Sequence, residues 1–109
     1  MQEPTYLILA VLAAEPLHGY GIVRSVSQLS EGEVNLRPGT LYGALDRLDQ
    51  QGLIAVDREE AVDGRLRRYY RLSDSGAAAL AEQAERLRRR ADAGARQLAL
   101  RPNAAGGAA

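Results

Sequence analysis

One short segment, residues 37–53, carries the marks of a helix at both ends, and it limits what the rest of the chain can build. Pro38 suits the first helical position, where its missing N–H costs no hydrogen bond. Gly52 suits the position just past the end, and Leu53 supplies the apolar contact that follows such a cap. Between them Leu41, Leu45 and Leu48, with Ala44 beside them, recur at helical spacing and form one buried face. The opposite face carries Gly39, Gly43, Asp46, Arg47 and Gln50, with Thr40 and Tyr42 on its flanks. Gly43 is the costly choice, because glycine inside an exposed helix is about 1 kcal/mol worse than alanine. Two explanations stand: another surface approaches the backbone here, or a second helix of the same protein packs against it.

A hairpin follows. Residues 53–60 and 67–72 read as strands, with Asp63-Gly64 as the turn between them. Ile54 and Val56 share one face of the first strand, and Tyr70 and Leu72 share one face of the second, as a ribbon on a small core requires. The other face of the second strand shows Arg67, Tyr69 and Arg71, with Arg65 at the tip and Arg68 nearby. Residues 64–72 hold four arginines and no acid. A helix with a glycine-lined outer face beside a basic hairpin suits insertion into a DNA groove.

Overall charge hides this. The chain has 109 residues, one domain by length, and its 14 basic and 14 acidic side chains cancel. They are segregated, however: residues 57–63 carry −3, residues 64–72 carry +4 and residues 86–109 carry +5. Such blocks are compatible with a local nucleic-acid footprint. Every basic residue is arginine, which suits a rigid fork on phosphate or guanine and equally fits a bias in base composition. The chain has no cysteine, which excludes disulfides, thiol catalysis and cysteine-ligated zinc. No apolar run reaches the roughly 18 residues of a membrane span, and residues 6–14 lack the basic stretch of a signal peptide. The expectation is a cytoplasmic protein with no membrane partner.

The flanks complete the outline. A first helix opens at Pro4 or Thr5, runs over residues 6–14 and stops at Pro16. It is apolar almost all round, which calls for burial on several sides, and a second subunit could cover it. A second helix spans residues 19–29, with Ile22, Val26 and Leu29 on one face. Three helices and then a hairpin make the winged form of the helix-turn-helix, whose last helix enters the major groove. The fold class is mainly α with a small β-hairpin. Ser73 and Asp74 are candidate caps for a long helix over residues 74–100. Along it Leu80, Ala84, Leu87, Ala91, Gly94 or Ala95, and Leu98 form a heptad-like seam. The seam either joins two copies of the chain or packs on the chain's own first helix, and dimerisation leaves both apolar faces buried. Arg86, Arg88, Arg89 and Arg90 read as a solvated face near Glu82 and Glu85. The organisation expected is a DNA-binding domain over 1–72, a dimerisation helix over 73–101 and a small, frayed tail over 102–109.

These residues carry a resemblance. Leu17-His18-Gly19-Tyr20; Pro38-Gly39-Thr40-Leu41-Tyr42 with Ala44, Leu45, Leu48, Gly52 and Leu53; then Gly64-Arg65, residues 67–72 and Gly76 resemble the PadR family of transcriptional regulators. The likeness runs from about Thr5 to Leu98 and implies a winged-helix DNA-binding domain, a C-terminal dimerisation helix and repression relieved by a small ligand. The length matches a compact subgroup with a single C-terminal helix. By this resemblance Tyr20 lies near the DNA backbone, and Thr40 and Tyr42 face the operator. Gly64, Arg65, Arg67 and Arg68 form the wing along phosphates or the minor groove, and Tyr70 is structural at its base. The chain departs from the family at Arg37, where a capping serine is common, and at Gly21, where an acid is common. Arg37 gives up a cap worth about 1 kcal/mol and puts a cation at the positive end of the helix. That placement suits a bound phosphate, unless Asn35 caps the helix in its stead.

The remaining candidates for chemistry are weak. His18 sits in a turn before a helix with no second histidine or cysteine, so it reads as structural, and no metal site is expected. The serines occupy helical or capping positions and form no triad. Gly39 and Gly43 are not followed by the Gly-Lys-Ser/Thr of a phosphate loop. Neither an enzyme nor a cofactor is expected. The expected partner is double-stranded DNA carrying a pseudo-palindromic operator, bound by a homodimer. On the central helix Arg37, Pro38, Gly39, Thr40, Tyr42, Gly43 and Arg47 face it, with Gln50 near the end. The competing function is a winged-helix module that binds protein and no longer DNA, which need not keep four arginines in its wing. A small-molecule effector is left open: the chain has no tryptophan or phenylalanine, and a pocket between the first helix and the Leu/Ala seam would be small.

Overall fold

A computed structural model describes residues 1–103; the part of the expected tail beyond Asn103 lies outside the described residues. In chain order the elements are α1 (Glu3–Ala14), β1 (Leu17–His18), α2 (Gly19–Leu29), α3 (Pro38–Gln50), β2 (Ile54–Val62), β3 (Arg65–Leu72) and α4 (Asp74–Ala99). The chain is mainly helical, with a three-stranded antiparallel sheet in the order β1-β3-β2. The hairpin expected from sequence is therefore joined by a third strand. Leu17 pairs with Tyr70 and His18 with Tyr69, which ties the start of α2 to the base of the wing.

One core holds these elements. Ile8, Leu9 and Leu12 of α1, Ile22 and Val26 of α2, Leu41, Leu45 and Leu48 of α3, Ile54 and Tyr70 are all buried in a single cluster. Burying a large aliphatic side chain contributes about 1.5–3 kcal/mol, and the leucines of α3 share a face as their spacing requires. The apolar first helix is covered within the chain over most of its surface, as burial on several sides requires. It is packed by α2, α4 and β3 of the same chain, because α4 folds its first turns back over it.

The hairpin turns tightly. Asp63 and Gly64 have φ of 50° and 76°, the left-handed pair that matches the twist of two-residue hairpins. Val62 pairs with Arg65 directly across the turn, so both strands run to the tip and are longer than the sequence pattern gave. A bulge lies between Val56 and Arg58, where Asp57 is the extra residue. It increases the local twist; Val56 beside it is exposed although Ile54 is buried.

The end of α3 and the start of α4 are built as one joint. Gly52, at φ 75°, closes α3 with a paired cap: its N–H donates to Asp49 O and that of Leu53 to Leu48 O, both at 3.0 Å. Ser73 caps α4, its Oγ accepting from the Gly76 N–H at 3.0 Å. The same hydroxyl donates to Gly52 O at 2.6 Å, and the Ser73 N–H donates to Leu53 O at 3.1 Å. Gly76 is buried against this joint.

Candidate nucleic-acid interface

The outward face of α3 is bare. Arg37, Pro38, Gly39, Thr40, Asp46, Arg47 and Gln50 are all exposed. A Cβ added at Gly39 would meet nothing within 4 Å, and one at Gly43 would meet only Arg47 Nη1, at 3.6 Å. No second helix packs there, which removes the packing explanation for Gly43 and leaves a backbone open to an approaching surface. Arg37 stands at the cap position of α3 without a side-chain cap bond. Asn35 does not replace it, because its carbonyl accepts from Ser27 Oγ at 3.1 Å and its amide donates to Gly32 O at 2.8 Å. Asn35 ties the connecting loop to α2 instead. Among the described residues, no side chain accepts from the Gly39 and Thr40 amides, so the positive end of α3 faces outward with Arg37 beside it.

The wing is less basic than its second strand alone. Register places Glu59 opposite Arg68 and Glu60 opposite Arg67. Arg68 lies 3.5 Å from Glu59. Arg58 stacks 3.9 Å above the Tyr69 ring and binds Glu60 at 2.7 Å and Asp57 at 2.9 Å. The hydrogen bond from Arg58 holds the Glu60 carboxyl below its ordinary range. Arg65 and Arg67, on the other hand, make no ion pair among the described residues. His18 packs its ring 5.2 Å from that of Tyr69. Burial, then the charges of Arg67 and Arg24, lower its pKa, which disfavours a charged imidazole at the wing base.

Helix and wing enclose one open groove of about 990 Å³, lined by Tyr20 and Tyr42 on one side and by Arg65, Arg67 and Arg68 on the other. Five residues selected from sequence thus converge. Arg37, Pro38, Gly39, Thr40, Gly43 and Arg47 lie outside it, on the outward face of α3, and Gly64 sits at the exposed wing tip. The groove also holds Asp46 of α3 and Asp63 of the turn, while sequence reading missed Glu59 and Leu66, the latter 70% exposed. Leu66 was within reach, since strand alternation puts it on the face of Arg68 and Tyr70. Glu59 was not, because its register opposite Arg68 lies past the bulge at Asp57.

Residues 8–82 match the model of the transcriptional regulator PadR-like family. The chain belongs to the PadR family. It is 40% identical over 80 residues to the transcriptional regulator Rv3488 of Mycobacterium tuberculosis, a match covering 73% of this chain and 71% of that one. To the transcriptional regulator YqjI of Escherichia coli it is 32% identical over 85 residues, 78% of this chain but only 39% of the length of YqjI. Its fold is similar to that of Bacillus subtilis PadR, solved in complex with operator DNA. The TM-score is 0.68 at 24% identity, covering 76% of this chain and 48% of that one.

In this PadR-family chain α4 divides into two parts. Leu80 packs on the core, and Ala84 is half-buried. Further along, Leu87 is 44% exposed, Leu98 is 70% exposed, and Ala91 is open as well. The start of the seam therefore packs on the chain's own core and its remainder is uncovered. Arg86 pairs with Glu82 at 3.0 Å, and Arg88 pairs with Glu85, which makes this arginine block a solvated face. An apolar cleft of about 370 Å³ opens on the α2 side of α1, between Val11, Ala14, Leu17 and Leu29, not on the seam side. Among the described residues no helix is long and apolar enough to cross a membrane.

Proposed function

We propose that this PadR-family regulator binds double-stranded DNA in the cytoplasm as a homodimer and represses transcription until a small ligand relieves it. The observation that carries the DNA reading is the groove that sets Tyr20 and Tyr42 opposite Arg65, Arg67 and Arg68, beside the bare face of α3. Residues 1–72 hold the DNA, and within residues 73–101 the uncovered part of α4 joins the two copies. α3 enters the major groove, with Thr40, Tyr42, Arg47 and Gln50 toward the bases. The wing follows the phosphates, and Leu66 meets sugar. Arg37 and the free amides of α3 take a phosphate. The relative solved with operator DNA supports this reading. The apolar cleft beside α1 is where a small ligand enters.

Selection of bound duplexes from a random pool tests it. Enrichment of a two-fold symmetric sequence with half-sites about 10 bp apart is expected. Failure to enrich any duplex favours the protein-interaction reading.

The uncovered half of α4 supports the dimer. Its exposed leucines, Leu87 and Leu98, lie on one stripe of a helix that carries the molecule to 71 Å in length against 26 and 21 Å across. Replacing both with aspartate should leave the helix–wing core folded but shift the protein to monomer in sedimentation, with loss of tight binding to paired half-sites. A mass unchanged from the parent's at micromolar protein would place the interface elsewhere.

The groove acids set a limit on indiscriminate binding. Glu59→Gln releases Arg68 from its pair and removes one negative charge from the groove. Affinity for random duplex at low salt should rise about threefold, and the salt dependence should steepen. Equal salt slopes for variant and parent would take Glu59 out of the interface.

A further inference from the structure

Gly19 opens α2 and is buried, yet its backbone does not call for glycine. Its φ is not among the positive values of the chain, so an alanine could adopt it. The space around it does call for glycine. A Cβ at Gly19 would stand 2.6 Å from Tyr42 Oη and 3.2 Å from Tyr42 Cζ, so the phenol of Tyr42 occupies the place where a side chain would be. Tyr42 leaves the flank of α3 and stays 51% exposed. Its tip is therefore seated on the first turn of α2, and the rest of the ring faces the groove shared with the wing.

We propose that Gly19 is a positioning residue for DNA recognition: its missing side chain seats the Tyr42 phenol and so fixes where that ring meets the duplex. The proposal rests on the DNA-binding reading above. The clash in Gly19→Ala falls on the far end of a half-exposed side chain, not on backbone, so the ring swings aside and the fold tolerates it. The cost then appears in binding, because a displaced aromatic ring either obstructs the approach of the duplex or no longer reaches it. The wing is untouched, and Arg65 and Arg67 continue to hold phosphate.

The test is a double-mutant cycle on the duplex enriched by the parent protein, comparing parent, G19A, Y42A and G19A/Y42A, with thermal unfolding of each. G19A should unfold within a few degrees of the parent, bind that duplex about tenfold more weakly and keep the parent's salt slope. In the Y42A background G19A should add less than about twofold. Additive effects, or parent-like binding by G19A, would overturn the proposal. Tyrosine-ring NMR of the free proteins gives a readout independent of DNA. The Tyr42 signals, assigned by their absence in Y42A, should move in G19A while those of Tyr6 hold still. An unmoved Tyr42 ring in a G19A protein that still binds the duplex overturns the seat alone. A parent that enriches no duplex overturns the DNA reading, and this role with it.

Discussion

Replacing Arg65 and Arg67 together with alanine is expected to weaken binding to every duplex, specific or random, and to flatten its dependence on salt. These two arginines differ from Arg68 and Arg58 of the same hairpin. Arg68 is drawn to Glu59, and Arg58 is occupied by Glu60, Asp57 and the Tyr69 ring. Arg65 and Arg67 make no ion pair among the described residues and line the groove. They can thus meet phosphate without first breaking an internal pair. Each phosphate that the wing no longer neutralises should lower the slope of log affinity against log salt by about one unit. At near-physiological salt the affinity should fall at least about tenfold, since a charge-assisted hydrogen bond is worth roughly 1.5–3 kcal/mol. Sequence preference should persist, because α3 is unchanged. A variant with the parent's salt slope would show that the wing does not touch phosphate. Arg68→Ala, measured alongside, should have the smaller effect.

The largest loss of stability is expected at Gly76, away from any base. A Cβ there would overlap the backbone carbonyl oxygen of Leu53 and come within 2.7 Å of Leu72 Cδ1. Leu53 O cannot retreat, because it accepts the Ser73 N–H at 3.1 Å while Ser73 Oγ holds Gly52 O. Gly76→Ala must therefore shift the start of α4 off the joint, at a cost of about 3 kcal/mol, the upper part of the range for overpacked sites. For a domain of this size that lowers the melting temperature by roughly 15 °C at fixed protein concentration. Gly39→Ala, on the open face of α3, is the control and should not lower it. Equal melting temperatures for Gly76→Ala and the parent would mean that α4 is not locked to the sheet at this point.

What was legible in the sequence was local. Pro38 at one end and Gly52 with Leu53 at the other bound α3 from its own sequence, and Asp63-Gly64 marked the turn without reference to the fold. What was not legible depended on distant pairings. β1 is two residues long, too short to show an alternation, and exists only because Tyr69 and Tyr70 lie beside it. The neutralised wing needed the register past the Asp57 bulge, which no pattern of apolar residues fixes. Asn35 carried the chemistry of a helix cap, but a Ser27 hydroxyl eight residues back claimed it. At the groove, residue types marked Tyr42 and the arginines, whereas Gly19 needed the crossing of α2 with α3 to acquire a reason. The cover of α1 comes from α2, β3 and the first turns of α4, and the spacing of the seam alone does not separate that packing from contact with a second copy.

The hydroxyl of Ser73 touches the last turn of one helix and the first turn of another, and this makes the molecule a lever with a short fulcrum. α4 has 26 residues, about 39 Å of helix, so a tilt of about 5° at that fulcrum carries its far end through roughly 3 Å. The same geometry works in reverse. In the proposed dimer, the angle at which two long arms cross fixes how far apart the two α3 segments stand, against a groove repeat of about 34 Å. The spacing of the sites that the protein can span is then governed by the stiffness of a few hydrogen bonds far from the DNA.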